Sequence, residues 1–280
     1  MSNEPKKHHY VPEYYQKNFL SDDGVLFAYK KTYGGIRSWK PSQLLYKENL
    51  HTLAFLGERT VMIEKFYSQI ESEFSKYNAL INGNLDDPGF ISDLAQDEDF
   101  IRVTRVVIAF QFWRTPCKKK LAEQYSPRLL SLYDKASSVI KDTLGYDRKF
   151  IKFISKRGAK DDSIKVIQFL LLPLLTFNLL GGAERVRFLM APESREFCSS
   201  DRPVLHEAVE TLFSFRNFIF PFSKKLVLLG AEVSSEDLDV DGINNIIGAK
   251  AIELVISGSK TELEMLKKCE SAEVSRLHRT

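Results

Sequence analysis

Sulfur is scarce in this chain. Only three of its 280 residues are cysteine, Cys117, Cys198 and Cys269. They are far apart and odd in number, which argues against a disulfide framework and against a zinc site built on paired cysteines. No P-loop, no GxGxxG fingerprint, no HExxH and no GxSxG occurs among the glycines, histidines and serines. Nothing therefore signals the familiar nucleotide, dinucleotide, zinc-protease or α/β-hydrolase chemistries. Long apolar runs are missing as well. The most apolar stretch, VIQFLLLPLLTFNLLGG at 166–182, is broken by Gln168, Pro173 and Asn178 and falls short of the ~20 apolar residues a membrane span requires. It reads as a buried helix kinked at Pro173, where one helical hydrogen bond is lost. With a polar N-terminus and no apolar leader, the expected setting is a reducing cytoplasm, with no membrane partner.

Aromatic residues are plentiful. The chain carries 20 phenylalanines, 12% aromatic and 44% hydrophobic residues in all, so a thick aromatic core is expected. Charged residues make up 28% and the net charge is +3. That balance describes a folded chain and permits a polyanionic partner without demanding one.

The pattern along the chain predicts an α+β fold, with a mostly helical middle and short strands supplied by an N-terminal hairpin and by the C-terminal third. We read 1–280 as a single domain with sub-lobes at 1–85, 86–182 and 183–280. GVLFAYKKTYGGIRSWK reads as a hairpin turning at Gly34 and Gly35, and KENLHTLAF as a third short strand. Met62, Ile63, Phe66, Ile70, Phe74 and Leu80 recur near helical spacing, predicting a long amphipathic helix. An acidic start and Pro116 bracket another, ending at QFWRTP. Strand-like RVRFLMA, EFCSSD, FIFPF and KLVLLG follow, then a helix, a last strand and a C-terminal helix. The N-terminal hairpin is expected to lie beside the C-terminal strands.

The chain opens with KKHHYVPEYYQKNFL, which holds two of its five histidines. His8 and His9 are consecutive, so on a strand they face opposite ways. Imidazole suits general base work near neutral pH and metal ligation, and it equally serves as a packed core residue. HHYVP resembles the first motif of ββα-metal (HNH-type) nucleases, with Asn49 and His51 of ENLHTL as the further members. Arg114, closing its helix, is suited to bidentate phosphate binding or to capping the last carbonyls. Asp201, between a strand-like run and Pro203, is placed for a metal ligand or base, or for a turn hydrogen bond. DLDVDG at 237–242 lacks the glutamate that a calcium loop needs at its twelfth position, where Gly248 stands, so it reads as an acidic helix N-terminus. Lys118, Lys119 and Lys120, and Lys149, Lys152 and Lys156 on one face of a basic helix, are either solvated faces or tracks for a phosphate backbone.

Taken together, KKHHYVPEYYQKNFL, GVLFAYKK, IEKFYSQIESEF, QFWRTP, FCSSDRPV, FPFSKKLVLLG and INNIIGAKAIELVISG resemble, in order, the bacterial domain-of-unknown-function family 4238. Arg202 stands where that pattern tends to have asparagine, and His51 where it tends to have an aromatic residue. The resemblance directs attention to His8, His9, Tyr10, Arg114 and Asp201 without implying an activity.

Two functions are expected from these observations. The first is an enzyme that cleaves phosphodiesters in nucleic acid, with defence against phage or foreign DNA as its expected use. It would use His8 or His9 as general base or metal ligand, Asp201 as metal ligand or base orienter, Arg114 as phosphate clamp and Mg²⁺ or Mn²⁺ as cofactor. Lys118, Lys119, Lys149, Lys152 and Lys156 would hold the nucleic acid. The second is a non-enzymatic binding or regulatory module in which the His-Arg-Asp set is structural.

Overall fold

A computed structural model describes residues 6–55, 58–158, 160, 162–181, 186–234 and 238–277. It is an α+β structure with a helical middle and several small antiparallel sheets. Strand β1 (Lys7–His9) leads into the short helix α1 (Glu13–Lys17), with Pro12 at its N-cap. β2 (Leu26–Lys30) and β3 (Gly35–Trp39) form the expected hairpin, turning at Gly34 in the left-handed region. KENLHTLAF is not one strand. It divides into β4 (Tyr46–Glu48) and β5 (Leu53–Phe55), separated by a turn at Asn49, whose φ is +54°. Asparagine is among the few residues that tolerate that conformation. β5 pairs with β6 (Glu58–Thr60).

The long helix α2 (Met62–Asn82) follows, and its inner face differs from the expected one. Ile63, Tyr67, Phe74, Asn78 and Ile81 are buried, whereas Met62 and Leu80 are exposed. Helical spacing from Ile63 carries the stripe through Tyr67, because a tyrosine can bury its ring when its hydroxyl finds an acceptor. The middle continues through α3 (Pro88–Leu94), α4 (Glu98–Arg114), α5 (Lys119–Tyr125), α6 (Leu129–Lys135), α7 (Ser138–Leu144), α8 (Arg148–Arg157) and α9 (Ser163–Val166). Next to α9, Ile167–Leu171 widens into π-helical turns just ahead of α10 (Leu172–Thr176), which carries Pro173. The kink thus takes the form of a wider turn.

In the last third, β7 (Arg187–Met190), β10 (Leu226–Leu229) and β9 (Ile219–Pro221) form one sheet. β8 (Ser199–Ser200) is only two residues long, shorter than EFCSSD implied. α11 (Val209–Phe213) lies between β8 and β9. Asp239 caps α12 (Val240–Lys250) by accepting from the Gly242 N–H at 2.8 Å. This is the acidic helix start expected of DLDVDG, although Asp237 lies outside the described residues. β11 (Leu254–Ser257) pairs with β2, Leu254 opposite Lys30 and Ser257 opposite Phe27, and on its other side with β8. α13 (Lys260–Leu277) closes the described chain. The N-terminal hairpin and the C-terminal strand therefore share one sheet, ordered β3-β2-β11-β8.

The N-terminal segment is built into this frame. Tyr15 donates from its hydroxyl to the Pro221 carbonyl at 2.6 Å and meets the Ser199 hydroxyl at 2.8 Å. The Asn18 amide donates to the Phe222 carbonyl at 2.9 Å, and Asn18 exchanges hydrogen bonds with Asn78 of α2 at 2.7 Å. These bonds link residues up to 206 positions apart. Around them lies the aromatic core expected from the composition, with Trp113, Phe74, Phe100, Phe112, Phe218, Phe220 and Phe222 almost wholly buried.

Candidate active site around His51 and Glu64

Three segments meet at one polar cluster. β1 alternates as a strand must: Lys7 is exposed and His8 fully buried. β4 runs antiparallel to it, with Lys47 opposite His8. The turn at Asn49 then brings the chain back. Asn49 N–H binds the Lys6 carbonyl at 2.8 Å, and the His51 N–H donates to His8 Nδ1 at 2.8 Å. The two imidazoles stack, their centroids 5.4 Å apart. Because His8 Nδ1 accepts that hydrogen, a neutral His8 carries its own proton on Nε2.

The third segment is the first turn of α2, where Glu64 benefits from the helix N-terminal field. Its carboxylate bonds His51 Nδ1 and lies 3.6 Å from His8 Nδ1. The His51 ring packs edge-on against Tyr67 and Phe169, at 5.0 and 4.7 Å between centroids. Burial pushes the His51 pKa down to about 4, against the opposing pull of Glu64. Burial alone would raise Glu64, but the bond from His51 and the nearby charges of His51, Arg114 and His8 outweigh it and hold Glu64 below its usual range. At neutral pH the pair is therefore a neutral imidazole donating Nδ1–H to a carboxylate. His51 Nε2 then carries a lone pair. That atom is buried and has no hydrogen-bond partner.

Arg114 ends α4 with its side chain almost fully buried. Its guanidinium pairs with Glu71 and lies over the Tyr67 ring, 4.4 Å from the centroid. Burial works against its charge, but Glu71, Tyr67 and Glu64 more than compensate, so it stays protonated. Arg114, Glu71, Tyr14, Tyr67 and Gln111 border a cavity of about 20 Å³, room for one water. Gln111 also donates to the Tyr10 carbonyl at 2.9 Å, fixing α4 to the end of β1. His9 lies on the outer side of β1, its Nε2 3.5 Å from Glu13, and burial lowers its pKa. The charges of Arg114, Glu64 and Glu71 all bear on it. The half-exposed members of the cluster, Glu64 and Glu71, are the ones that face solvent.

His8, His9 and Arg114 are thus brought together, but Asp201 is engaged elsewhere. Its carboxylate accepts the backbone N–H groups of Ile252, Glu253 and Leu254 at 3.0, 2.7 and 3.3 Å, at the entry to β11. Burial raises its pKa against those three bonds. Among the described residues no hydrogen bond or ion pair joins it to the histidines or to Arg114. Reasoning from sequence passed over Glu64 and Glu71. The signal was their separation of seven on one helix, which places both on the same face with Tyr67 between them. The lysines divide. Lys119, Lys149, Lys152 and Lys156 are exposed, with Ile151 and Ile154 of α8 buried and Phe153 outside. Lys118 is buried, contrary to a solvated face, because the helical turn at Pro116–Lys118 directs it onto Phe112.

Among the described residues, His8, His51 and Glu64 form the group able to hold a metal ion, their ligand atoms all within 4.8 Å of one another. Two imidazoles and a carboxylate favour Zn²⁺ or Mn²⁺ over Mg²⁺, which prefers oxygen. The 3.6 Å between His8 Nδ1 and Glu64 matches two ligands on one ion with bonds of about 2.1 Å. An ion there would open the His51–Glu64 hydrogen bond and would displace the His51 N–H from His8 Nδ1, whose single lone pair cannot serve both.

This geometry defines an α+β protein with a buried His-His-Glu cluster beside a charged arginine. Residues 7–143 match the family described as protein of unknown function, DUF4238. The matched segment contains His8, His51, Glu64, Glu71 and Arg114, and Asp201 lies beyond it. No curated protein and no solved structure matches the chain.

Proposed function

We propose that this protein is a hydrolase that cleaves phosphodiesters in nucleic acid, with His8, His51 and Glu64 as its centre. The observation that carries the reading is the convergence of those three groups, from three segments, next to the permanently charged Arg114. In this reading Glu64 holds the His51 tautomer, and the imidazole takes a proton from the attacking water. Arg114 clamps the phosphate as Glu71, which reaches solvent, gives way. A divalent ion would be an alternative to the imidazole base rather than an addition to it: held by His8, His51 and Glu64 it would supply Lewis-acid stabilisation of the phosphoryl oxygens, with His51 a ligand and Glu64 no longer its hydrogen-bond partner. The exposed lysines of α8 offer a track for the backbone of the substrate. An antiparallel strand pair followed by a helix bearing the third ligand also parallels the HNH-type resemblance of the opening motif. With three free cysteines, a reducing bacterial cytoplasm is the setting we assign, and defence against foreign DNA the use, the latter by analogy.

A second reading has its own observation. His8 and His51 are inaccessible to solvent, at 0% exposure each, as befits a polar network that locks β1, β4 and α2 together in a binding or regulatory module. One experiment separates the two. Wild type, His51→Ala and Glu64→Gln are incubated with single- and double-stranded DNA and RNA, with Mg²⁺, Mn²⁺ or Zn²⁺ and with chelator, and their folding is checked by thermal transition. Cleavage by wild type that is lost in folded variants supports the hydrolase. Wild type that cuts nothing under any of these conditions sinks it and leaves the module.

A further inference from the structure

A second cluster lies four residues beyond Arg114 and is independent of the reading of His51. Lys118 is only 8% exposed, yet among the described residues no carboxylate pairs with it. Its ammonium donates to His206 Nε2 at 3.3 Å and sits over the Phe112 ring, 4.0 Å from the centroid. Since His206 Nε2 is the acceptor, Nδ1 bears the ring hydrogen, and that atom is buried without a partner. Arg202 and Lys250 complete the surroundings: the Arg202 guanidinium donates to the Lys250 carbonyl at 3.2 Å, and the charges of both act on His206.

The donors therefore outnumber the acceptors. Two hydrogens of the Lys118 ammonium, the His206 Nδ1–H and most of the Arg202 fork are unused. A buried cation without a counter-charge is costly. The same surroundings disfavour charge on both groups: burial and Arg202 push Lys118 down to about 8, and burial with the Lys118, Arg202 and Lys250 charges pushes His206 down to about 4. An oxyanion would supply the Lys118 ammonium and the Arg202 guanidinium with a counter-charge through charge-assisted hydrogen bonds, with His206 Nε2 holding the ammonium in place.

We infer that Lys118, His206 and Arg202 form a binding site for a phosphate-type oxyanion. Free phosphate and the phosphoryl group of a nucleotide share the required chemistry.

The test is a titration of the full chain with inorganic phosphate, adenosine monophosphate and a short single-stranded oligonucleotide, each against sodium chloride at matched ionic strength. Calorimetry and the thermal midpoint are the readouts. We expect saturable binding by wild type, at least tenfold weaker binding in Lys118→Met and in His206→Phe, and a thermal shift that disappears with it. Tighter binding of phosphate than of the oligonucleotide assigns the site to a small ligand, and the reverse assigns it to nucleic acid. Because substitution of Lys118 could disturb packing on Phe112, wild type is also labelled with trinitrobenzenesulfonate, and phosphate should slow labelling of Lys118 at least severalfold. Lys118→Met and His206→Phe are read on phosphate binding alone, which keeps this result separate from that of the cleavage assay. Absence of saturable binding beyond chloride, equal binding in both variants, or labelling of Lys118 that phosphate does not slow overturns the site.

Discussion

The Tyr67 hydroxyl donates to the Phe169 carbonyl at 3.0 Å. Phe169 lies four residues before Pro173, which has no N–H to offer that carbonyl. A side chain of α2 thus supplies the hydrogen that the kinked helix lacks. The same ring carries the Arg114 guanidinium on its face and meets His51 at its edge. Tyr67→Phe should therefore cost about 1–2 kcal/mol, the penalty for an unsatisfied buried carbonyl. Urea unfolding would measure it, and a loss below a few tenths would show that the carbonyl finds another donor.

Acid should weaken the fold before the carboxylates titrate. The unfolded chain protonates His51 near its ordinary value of 6.5, whereas the folded chain resists until about 4. The unfolded state binds the extra proton first, so stability is full above pH 6.5 and falls as pH drops towards 4. For His51 alone the loss approaches ~3 kcal/mol. His206, also held down to about 4, adds in the same direction. Denaturant midpoints at pH 7, 6 and 5 should decline steadily, and less steeply in His51→Gln.

Removing the partner of Arg114 should be expensive. Glu71→Ala leaves a buried guanidinium with Glu64 as its remaining nearby carboxylate, and breaking such pairs costs about 3 kcal/mol. The half-exposed position of Glu71 makes that figure an upper value. Pairing the change with Arg114→Met in a double-mutant cycle should recover part of the loss. Strict additivity would mean that the two side chains do not couple.

Asp201→Asn should act on stability and leave chemistry alone. The amide keeps one acceptor oxygen for N–H groups that now share two, and it brings an unpaired NH₂ group into a buried site. A loss of about 2 kcal/mol follows. Any nucleic-acid cleavage measured with wild type should persist in the folded variant. Abolished cleavage in a folded Asp201→Asn would return this aspartate to the site.

Much of the fold was legible in local patterns. The β2–β3 hairpin followed from Gly34 and Gly35, α4 from its acidic start and Pro116, and the α12 cap from Asp239. α2 was legible in extent but not in facing, since burial of Tyr67 depends on an acceptor about 100 residues away. Lys118 misled for the same reason: a lysine written beside two others reads as solvated, but the turn after Pro116 puts it on Phe112.

For the site, the sequence by itself singled out the opening histidines and Arg114, polar residues flanked by aromatic ones. It also determined the helix that carries Glu64 and Glu71, since helical periodicity is a local property. Only the tertiary structure decided which partners they meet. The left-handed turn at Asn49 brings His51 onto His8, and the register of β11 draws Asp201 away to three backbone N–H groups. Hydrogen bonds and burial join residues 40 to 200 positions apart, and local sequence carries no record of which distant segments will close on one another until the whole chain has packed.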